Sequence, residues 1–399
     1  MKDELRLRIL VSLDSTFPWR TGGREGCLYH ISKELRERAH FTFVTWRTPG
    51  QLQKCNFFPD VTEWATLIPV RILNKWPLPA RLGRPFLNTG WFGWRFEQIG
   101  RRTCSRPYDV VTALNAGPQA TNAYRLSRRL CVPCIIHYHS NWAMEVRSTF
   151  PYSLMPGYLQ QIETRNLSRC DLIMANGHDT FMTLAEQCSK PVVAICNGVD
   201  SAKFRLRKPD DYKRWPSDKI VFISNSTLRD IKGLDVPMRC LSRMPLELRR
   251  NVILAYAGRG QWAPYANLAA ELGISEQVEY LGEQTQDEIA SLLRQADAGM
   301  FPGSLGVGTQ LAALECLASG LPLLAYNYAD YPALIDEGRT GYLVPLGDEA
   351  RYQKAMESII MERDRLPEMA GWAREKVDYY DWSRVADRYY AALCHVAGK

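Results

Sequence analysis

Residues 301–326, FPGSLGVGTQLAALECLASGLPLLAY, constrain the fold more than any other stretch of the chain. They read as the end of one strand, a glycine-rich turn, an amphipathic helix and a second buried strand. Pro302, Gly303, Gly306 and Gly308 permit tight backbone geometry and close approach by a ligand. Thr309 and Gln310 open a helix in which Leu311, Leu314, Leu317 and Ala318 recur at helical spacing. Gly320 and Pro322 end it, and Leu321, Leu323 and Leu324 begin the next strand. A helix N-terminus behind a glycine turn offers N–H groups and a positive dipole end, which suits phosphate. Glu315 is the lone carboxylate in this apolar, small-residue helix, and an acid there wants a hydroxyl or a basic partner.

The same alternation opens the chain. Leu7–Leu13 reads as a strand, followed by the loop DSTFPWRTGGREG with Gly22-Gly23, then a helix with Leu28, Ile31 and Leu35 on one face. Strand FTFVTW follows. This order is the opening of a doubly wound, nucleotide-handling sheet. Further parallel strands are expected at YDVVTAL (108–114), PCIIH (133–137), DLIMAN (171–176) and VVAI (192–195). Past a polar linker with Pro209 and Pro216, strands recur at 220–223, 252–256, 278–281 and 297–301. His137 and His139 fall at a strand's carboxyl end, where open α/β sheets place ligands, and alternation puts both on one face. In NSTLRDIKG, Arg229 and Lys232 carry charge suited to a diphosphate.

A chain of 399 residues has room for two ordinary domains. No apolar run approaches the roughly 20 residues that span a bilayer. The start, MKDELRLRILVSL, is too charged for a signal peptide and reads as a first buried strand. The 11 cysteines are scattered and odd in number, which points to reduced thiols and a cytoplasmic setting. Cys131-Val-Pro-Cys134 is expected to be a pair of core thiols, because a strand rather than a helix follows it and no second ligand pair is near. Residues 1–195 carry 25 Lys+Arg against 15 Asp+Glu, whereas the remainder carries 25 against 28. That excess, with the Trp- and Arg-rich stretch 71–96, fits an anionic membrane surface or a lipid-linked acceptor, the competing reading being that the aromatics are core. No nucleic-acid motif accompanies the basic residues. No Asp-x-Asp occurs, so a divalent metal is not expected.

Three motifs carry a resemblance. They are Gly308-Thr309 with Leu314-Glu315-Cys316-Leu317-Ala318-Ser319-Gly320-Leu321-Pro322, Lys232-Gly233, and Asn197-Gly198-Val199-Asp200. On these the chain resembles the group-1 retaining glycosyltransferases. The resemblance implies an α/β protein of two Rossmann-like doubly wound domains facing a central cleft, the GT-B fold. Residues 1–200 would be the acceptor-side domain, 201–380 the nucleotide-sugar domain, and 381–399 a helix returning to the first. It implies that Glu315 holds the ribose hydroxyls and that Gly22 and Gly23 approach the donor diphosphate and sugar. Gly308, Thr309 and Gln310 would complete the donor site, His139 would contact the donor sugar, and Lys232 and Arg229 would stabilise the leaving diphosphate. The implied donor is a UDP-, GDP- or other nucleotide sugar, with no cofactor, and the implied acceptor a glycan or lipid-linked sugar. Two positions depart from the pattern. Val307 stands where the family often carries Glu, and Thr227 stands where it usually carries Arg, leaving Arg229 as a substitute. Val307 keeps open a catalytically silent binding or partner subunit, and a GT-B sugar-nucleotide epimerase is the other alternative.

Overall fold

The computed structural model describes residues 6–13, 23–47, 58–71, 84–102, 107–139, 156–304 and 308–399. Gly22, Val307 and residues 72–83 of the Trp- and Arg-rich stretch lie outside the described residues. The chain divides into two compact units, residues 1–196 with 382–399, and residues 197–381.

The first unit is built on a seven-stranded sheet in the order β3-β2-β1-β4-β5-β6-β7. Its strands are β1 (Leu7–Ser12), β2 (Ala39–Arg47), β3 (Thr66–Arg71), β4 (Val110–Leu114), β5 (Cys134–Tyr138), β6 (Leu172–Ala175) and β7 (Val192–Ala194). All neighbours pair in parallel. Helices cover both faces of such a sheet, so its inner strands are near-continuous apolar runs rather than alternating ones. Every residue of β4, β5 and β6 is accordingly buried.

The helix Arg84–Arg102 sends Phe92, Phe96 and Ile99 into a core shared with Leu10, Val44 and Val111. Two aromatics of the stretch proposed for a membrane surface are therefore core, and Phe92 lies against Trp46. Trp94 on the same helix stays 51% exposed. The helix Trp382–Ala397 packs on the helix Gly23–Glu34, where the rings of His30 and Trp382 stack at 4.8 Å. Of the expected pair of core thiols, Cys134 is buried in β5 but Cys131 is exposed. Cys131 forms the left-handed end (φ 56°) of the helix Pro118–Leu130, which turns its side chain out of the core.

The second unit holds a six-stranded parallel sheet in the order β10-β9-β8-β11-β12-β13. Its strands are β8 (Ile220–Ser224), β9 (Val252–Ala257), β10 (Val278–Gly282), β11 (Ala298–Phe301), β12 (Leu323–Tyr326) and β13 (Gly341–Val344). Asn197–Asp200 belong to this unit. Asn197 Nδ2 donates to the Thr309 carbonyl at 2.6 Å, and Val199 bridges to Asp381. The boundary thus falls at residue 196 rather than 200.

In each sheet the strand order reverses once, between β1 and β4 in the first and between β8 and β11 in the second. Such a reversal opens a crevice at the carboxyl ends of the strands.

Candidate functional site

In the second unit the chain past β8 runs Asn225 to Gly233 and closes in a 3-10 turn over Asp230–Lys232. Gly233 follows at φ 61°, and a Cβ there would stand 2.2 Å from the Pro302 carbonyl oxygen past β11. Only glycine lets the two loops meet this closely. Their approach brings Lys232 beside the turn that starts the helix Leu311–Ala318, where Lys232 Nζ donates to Gln310 Oε1 at 3.4 Å. Gln310 holds the N-cap position of this helix, which begins at Leu311, two residues past the expected start at Thr309. Burial, with the charge of nearby Arg229, pulls the Lys232 ammonium below its ordinary value. A cation in that state lacks a neutralising carboxylate and gains from an anion beside it. The pocket there is lined by Ser224, Ser226, Lys232, Gly303, Gln310 and Tyr328 among others, and the buried Ser224 hydroxyl has no hydrogen-bond partner among the described residues.

Glu315 lies one turn further along the same helix. Asn225 Nδ2 donates to its Oε2 at 2.6 Å and Gln286 Nε2 to its Oε1 at 3.3 Å. Burial pushes the Glu315 carboxyl up to about 7, against the pull of those two amides and of Lys203. Two neutral amides thus hold the carboxylate in place without neutralising it, leaving lone pairs for hydroxyl donors. Asn225 and Gln286 were missed in the sequence. The available signal was the position of Asn225, directly past the carboxyl end of β8 at the strand reversal.

Thr309 and Gly308 serve the turn. The Thr309 hydroxyl donates to buried Asp330, so its side chain points into the unit and not outward. Gly308 takes φ 68°, a conformation that needs glycine. Arg229 is exposed and reaches the same neighbourhood only as a charge acting on Lys232.

The first unit brings together different chemistry. His139 stands one residue past β5 with 4% of its surface exposed. Its N–H donates to Asn115 Oδ1 at 2.7 Å and its carbonyl accepts from Asn176 Nδ2 at 3.0 Å. The side chains that clamp it come from the ends of β4 and β6, the strands flanking β5. The His137 and His139 rings lie on one face, 4.1 Å apart. Burial pushes His137 down to about 3 and His139 well below the ordinary histidine value, the latter helped by His137 and Arg24. Both imidazoles are therefore neutral at physiological pH. Among the described residues His139 Nε2 and both ring nitrogens of His137 have no hydrogen-bond partner. The Cys27 sulfur, from the helix that Gly23 begins, joins them, with the three ligand atoms within 4.8 Å of one another. Among the described residues this is the grouping a metal ion could use, although burial holds the Cys27 thiol strongly protonated.

Comparison with known proteins matches this division. The family described as Glycosyltransferase Family 4 matches residues 21–203, and the family described as Glycosyl transferases group 1 matches residues 217–362. The chain therefore carries matches to two glycosyltransferase families, one over most of each unit. Among curated relatives it is 27% identical over 221 residues to a D-inositol 3-phosphate glycosyltransferase of Saccharomonospora viridis, covering 52% of this chain and 51% of the relative. It is 32% identical over 182 residues to the protein of that name from Nocardia farcinica, covering 43% and 40%. The chain spans about half the length of the curated relatives it matches. Solved structures share the fold over nearly the whole chain. Sucrose-phosphate synthase of Thermosynechococcus elongatus has a TM-score of 0.82 at 15% identity, covering 98% of this chain and all of that one. Anabaena HepE in complex with UDP has a TM-score of 0.74 at 16% identity with the same coverage. Both units are Rossmann-like, and the fold is GT-B.

Proposed function

We propose that this protein transfers a sugar from a nucleotide diphosphate sugar to an acceptor, with retention of anomeric configuration and without a metal ion. The observation that carries the reading is the convergence of Lys232, Gln310 and the amide-held Glu315 at the β8/β11 strand reversal. In this reading Glu315 accepts hydrogen bonds from the ribose hydroxyls. The helix start at Leu311 and the Lys232 ammonium receive the diphosphate. As the bond from sugar to phosphate breaks, negative charge grows on the diphosphate, and a pre-placed buried cation stabilises that charge more than it stabilises the ground state. Arg229 adds charge from the rim. Neutral His139 orients the sugar by hydrogen bonding. No residue of the described site is a carboxylate placed as a nucleophile, so a front-face route, in which the departing phosphate takes the acceptor's proton, is favoured. Gly22 and Gly23 contribute backbone to the donor in this reading. Uridine donors are the first to try, since HepE was solved with UDP and with UDP-glucose.

The acceptor in this reading is a glycan or lipid-linked sugar, met at the inner face of a membrane. The basic excess of residues 1–195 supports that reading, as does the exposed Trp94 on a helix that also carries Arg95 and Arg101. No helix among the described residues is long and apolar enough to cross a membrane. Incubation with a panel of nucleotide sugars tests the central claim. Release of free nucleotide from one donor supports transfer, and binding of every donor without release would leave a silent binding subunit.

A further inference from the structure

The second unit carries a cationic depression at the opposite ends of β8 and β11 from Lys232 and Glu315. It is lined by Arg207, Lys213, Arg214, Lys219, Asp297 and Arg363, with about 610 Å³ of atom-free space open to solvent. Lys219 and Val221 bracket the start of β8, and Asp297 immediately precedes β11. β8 has five residues, so at about 3.3 Å per residue this depression lies roughly 15 Å from the carboxyl end of the same strand.

What holds these cations in place does not neutralise them. Arg207 donates to the Arg294 carbonyl, Lys219 to the Arg250 carbonyl at 2.8 Å, and Arg363 to the Ser217 carbonyl at 2.8 Å. Carbonyl oxygens orient a guanidinium or ammonium but carry no charge to cancel it. Of these cations only Arg214 has an ion-pair partner within contact distance among the described residues, Glu279, while Asp297 attracts Arg207 and Arg363 from farther away. The one acid in the lining, Asp297, accepts the Val221 N–H at 2.8 Å. Five cations against Asp297 and Glu279 leave about three positive charges gathered on one small concavity. Like charges so placed repel, and a bound anion relieves that repulsion. Residues 196–399, with this depression included, are net acidic, 25 Lys+Arg against 28 Asp+Glu. An extended polyanion would meet repulsion outside the depression, which favours a compact one. Arg207 and Arg363, with planar forked donors already oriented, suit phosphoryl oxygens in particular.

We propose that this depression is a second anion site, binding a small molecule that bears phosphoryl groups, separate from the nucleotide-sugar site and independent of it. Titration calorimetry of the full chain with pyrophosphate at low salt tests it, with inorganic phosphate as the weaker probe. In Lys232→Ala, where the proposed donor diphosphate site is disabled, a saturable pyrophosphate event should persist within about twofold of its wild-type affinity. Arg207→Ala with Arg363→Ala should weaken it at least tenfold. Because Arg363 also ties down the Ser217 carbonyl, Lys213→Gln serves as a second variant. Its exposed side chain supports no part of the fold, and it should weaken binding at least threefold without moving the thermal unfolding temperature. The proposal is overturned by no saturable binding at low salt, or by binding that Lys232→Ala abolishes and Lys213→Gln leaves intact. It is equally overturned if the arginine pair governs sedimentation with anionic vesicles while pyrophosphate does not bind.

Discussion

The two strand reversals are alike in topology and opposite in chemistry. At the carboxyl ends of β8 and β11 the chain gathers a buried ammonium, a carboxyl held near neutrality and a glycine-shaped backbone. At the end of β5, beside the reversal between β1 and β4, it gathers two neutral imidazoles and a protonated thiol, with every titratable group driven to its uncharged form by burial. The same fold can therefore present a site that stores charge or a site that excludes it. Which one results depends on the residues following each strand. On the proposed reading the difference amounts to a division of labour, with the second unit binding and discharging a diphosphate and the first orienting an uncharged group. Removing charge should cost most where charge is stored.

Lys232→Ala should have the largest effect. Loss of a pre-placed charge that acts on the leaving group typically costs about 10²–10³ in turnover. Arginine at this position should restore only part of it, because the pocket is small and Gln310 is set for an ammonium. Single-turnover rates at saturating donor are the measurement, and a loss under threefold would place the diphosphate elsewhere.

Glu315→Ala comes next and should act on affinity. Charge-assisted hydrogen bonds are worth about 2 kcal/mol, or roughly 30-fold in nucleotide affinity. Its pH dependence sharpens the comparison. With the carboxyl raised to about 7, the ionised form that accepts both ribose hydroxyls prevails above neutrality. Nucleotide affinity should therefore rise between about pH 6 and 8, and Glu315→Gln should flatten the rise. Calorimetry across that range decides, and a flat wild-type profile would remove Glu315 from the ribose.

How far these features could be read from the sequence follows from what kind of contact each one is. The buried strands were legible because a parallel sheet with both faces covered demands continuous apolar runs, as in IVFI and DLIMAN. The two strands that escaped, β3 and β13, are edge strands. β3 carries Pro69, which a central strand could not hold, and β13 is a four-residue piece following a turn. Glu315 and Lys232 were legible through local spacing, one on a helix behind a glycine turn and one before Gly233. Their partners were not. Asn225, just past β8, and Gln286, the first residue of the helix Gln286–Leu293, lie 90 and 29 residues away from Glu315, and nothing local marks either as its support. Thr309 has a partner of the same kind: Asp330, distant in sequence, accepts its hydroxyl, and nothing local marks that contact.

His139→Ala tests the uncharged side of the comparison and should have a smaller effect, about tenfold in turnover, with nucleoside diphosphate affinity nearly unchanged. The ring is neutral at physiological pH, so it orients by hydrogen bonding and transfers no net charge. The wild-type rate should accordingly show no limb with an ordinary histidine pKa between pH 5.5 and 7.5. Equal losses in turnover and nucleotide affinity would return His139 to a packing role, since a misfolded loop end disturbs both.

The smallest expected effect is that of a chelator. If Lys232 and Arg229 supply the positive charge at the diphosphate, no divalent ion is needed there, and activity should survive EDTA within about 20%. Any inhibition can be traced through the contrast between the two sites. A magnesium or manganese ion bridging a diphosphate prefers oxygen ligands, so rescue by either would mean that the charge store of the second unit is incomplete. Zinc prefers sulfur and imidazole, so rescue by zinc alone would point to Cys27, His137 and His139 in the first unit. Cys27→Ser separates these cases without touching the proposed donor residues. It should leave EDTA resistance and turnover as they were if the thiol is simply a buried core group. If it abolishes zinc rescue, the neutral cluster holds a metal, and the division between a charged and an uncharged site fails.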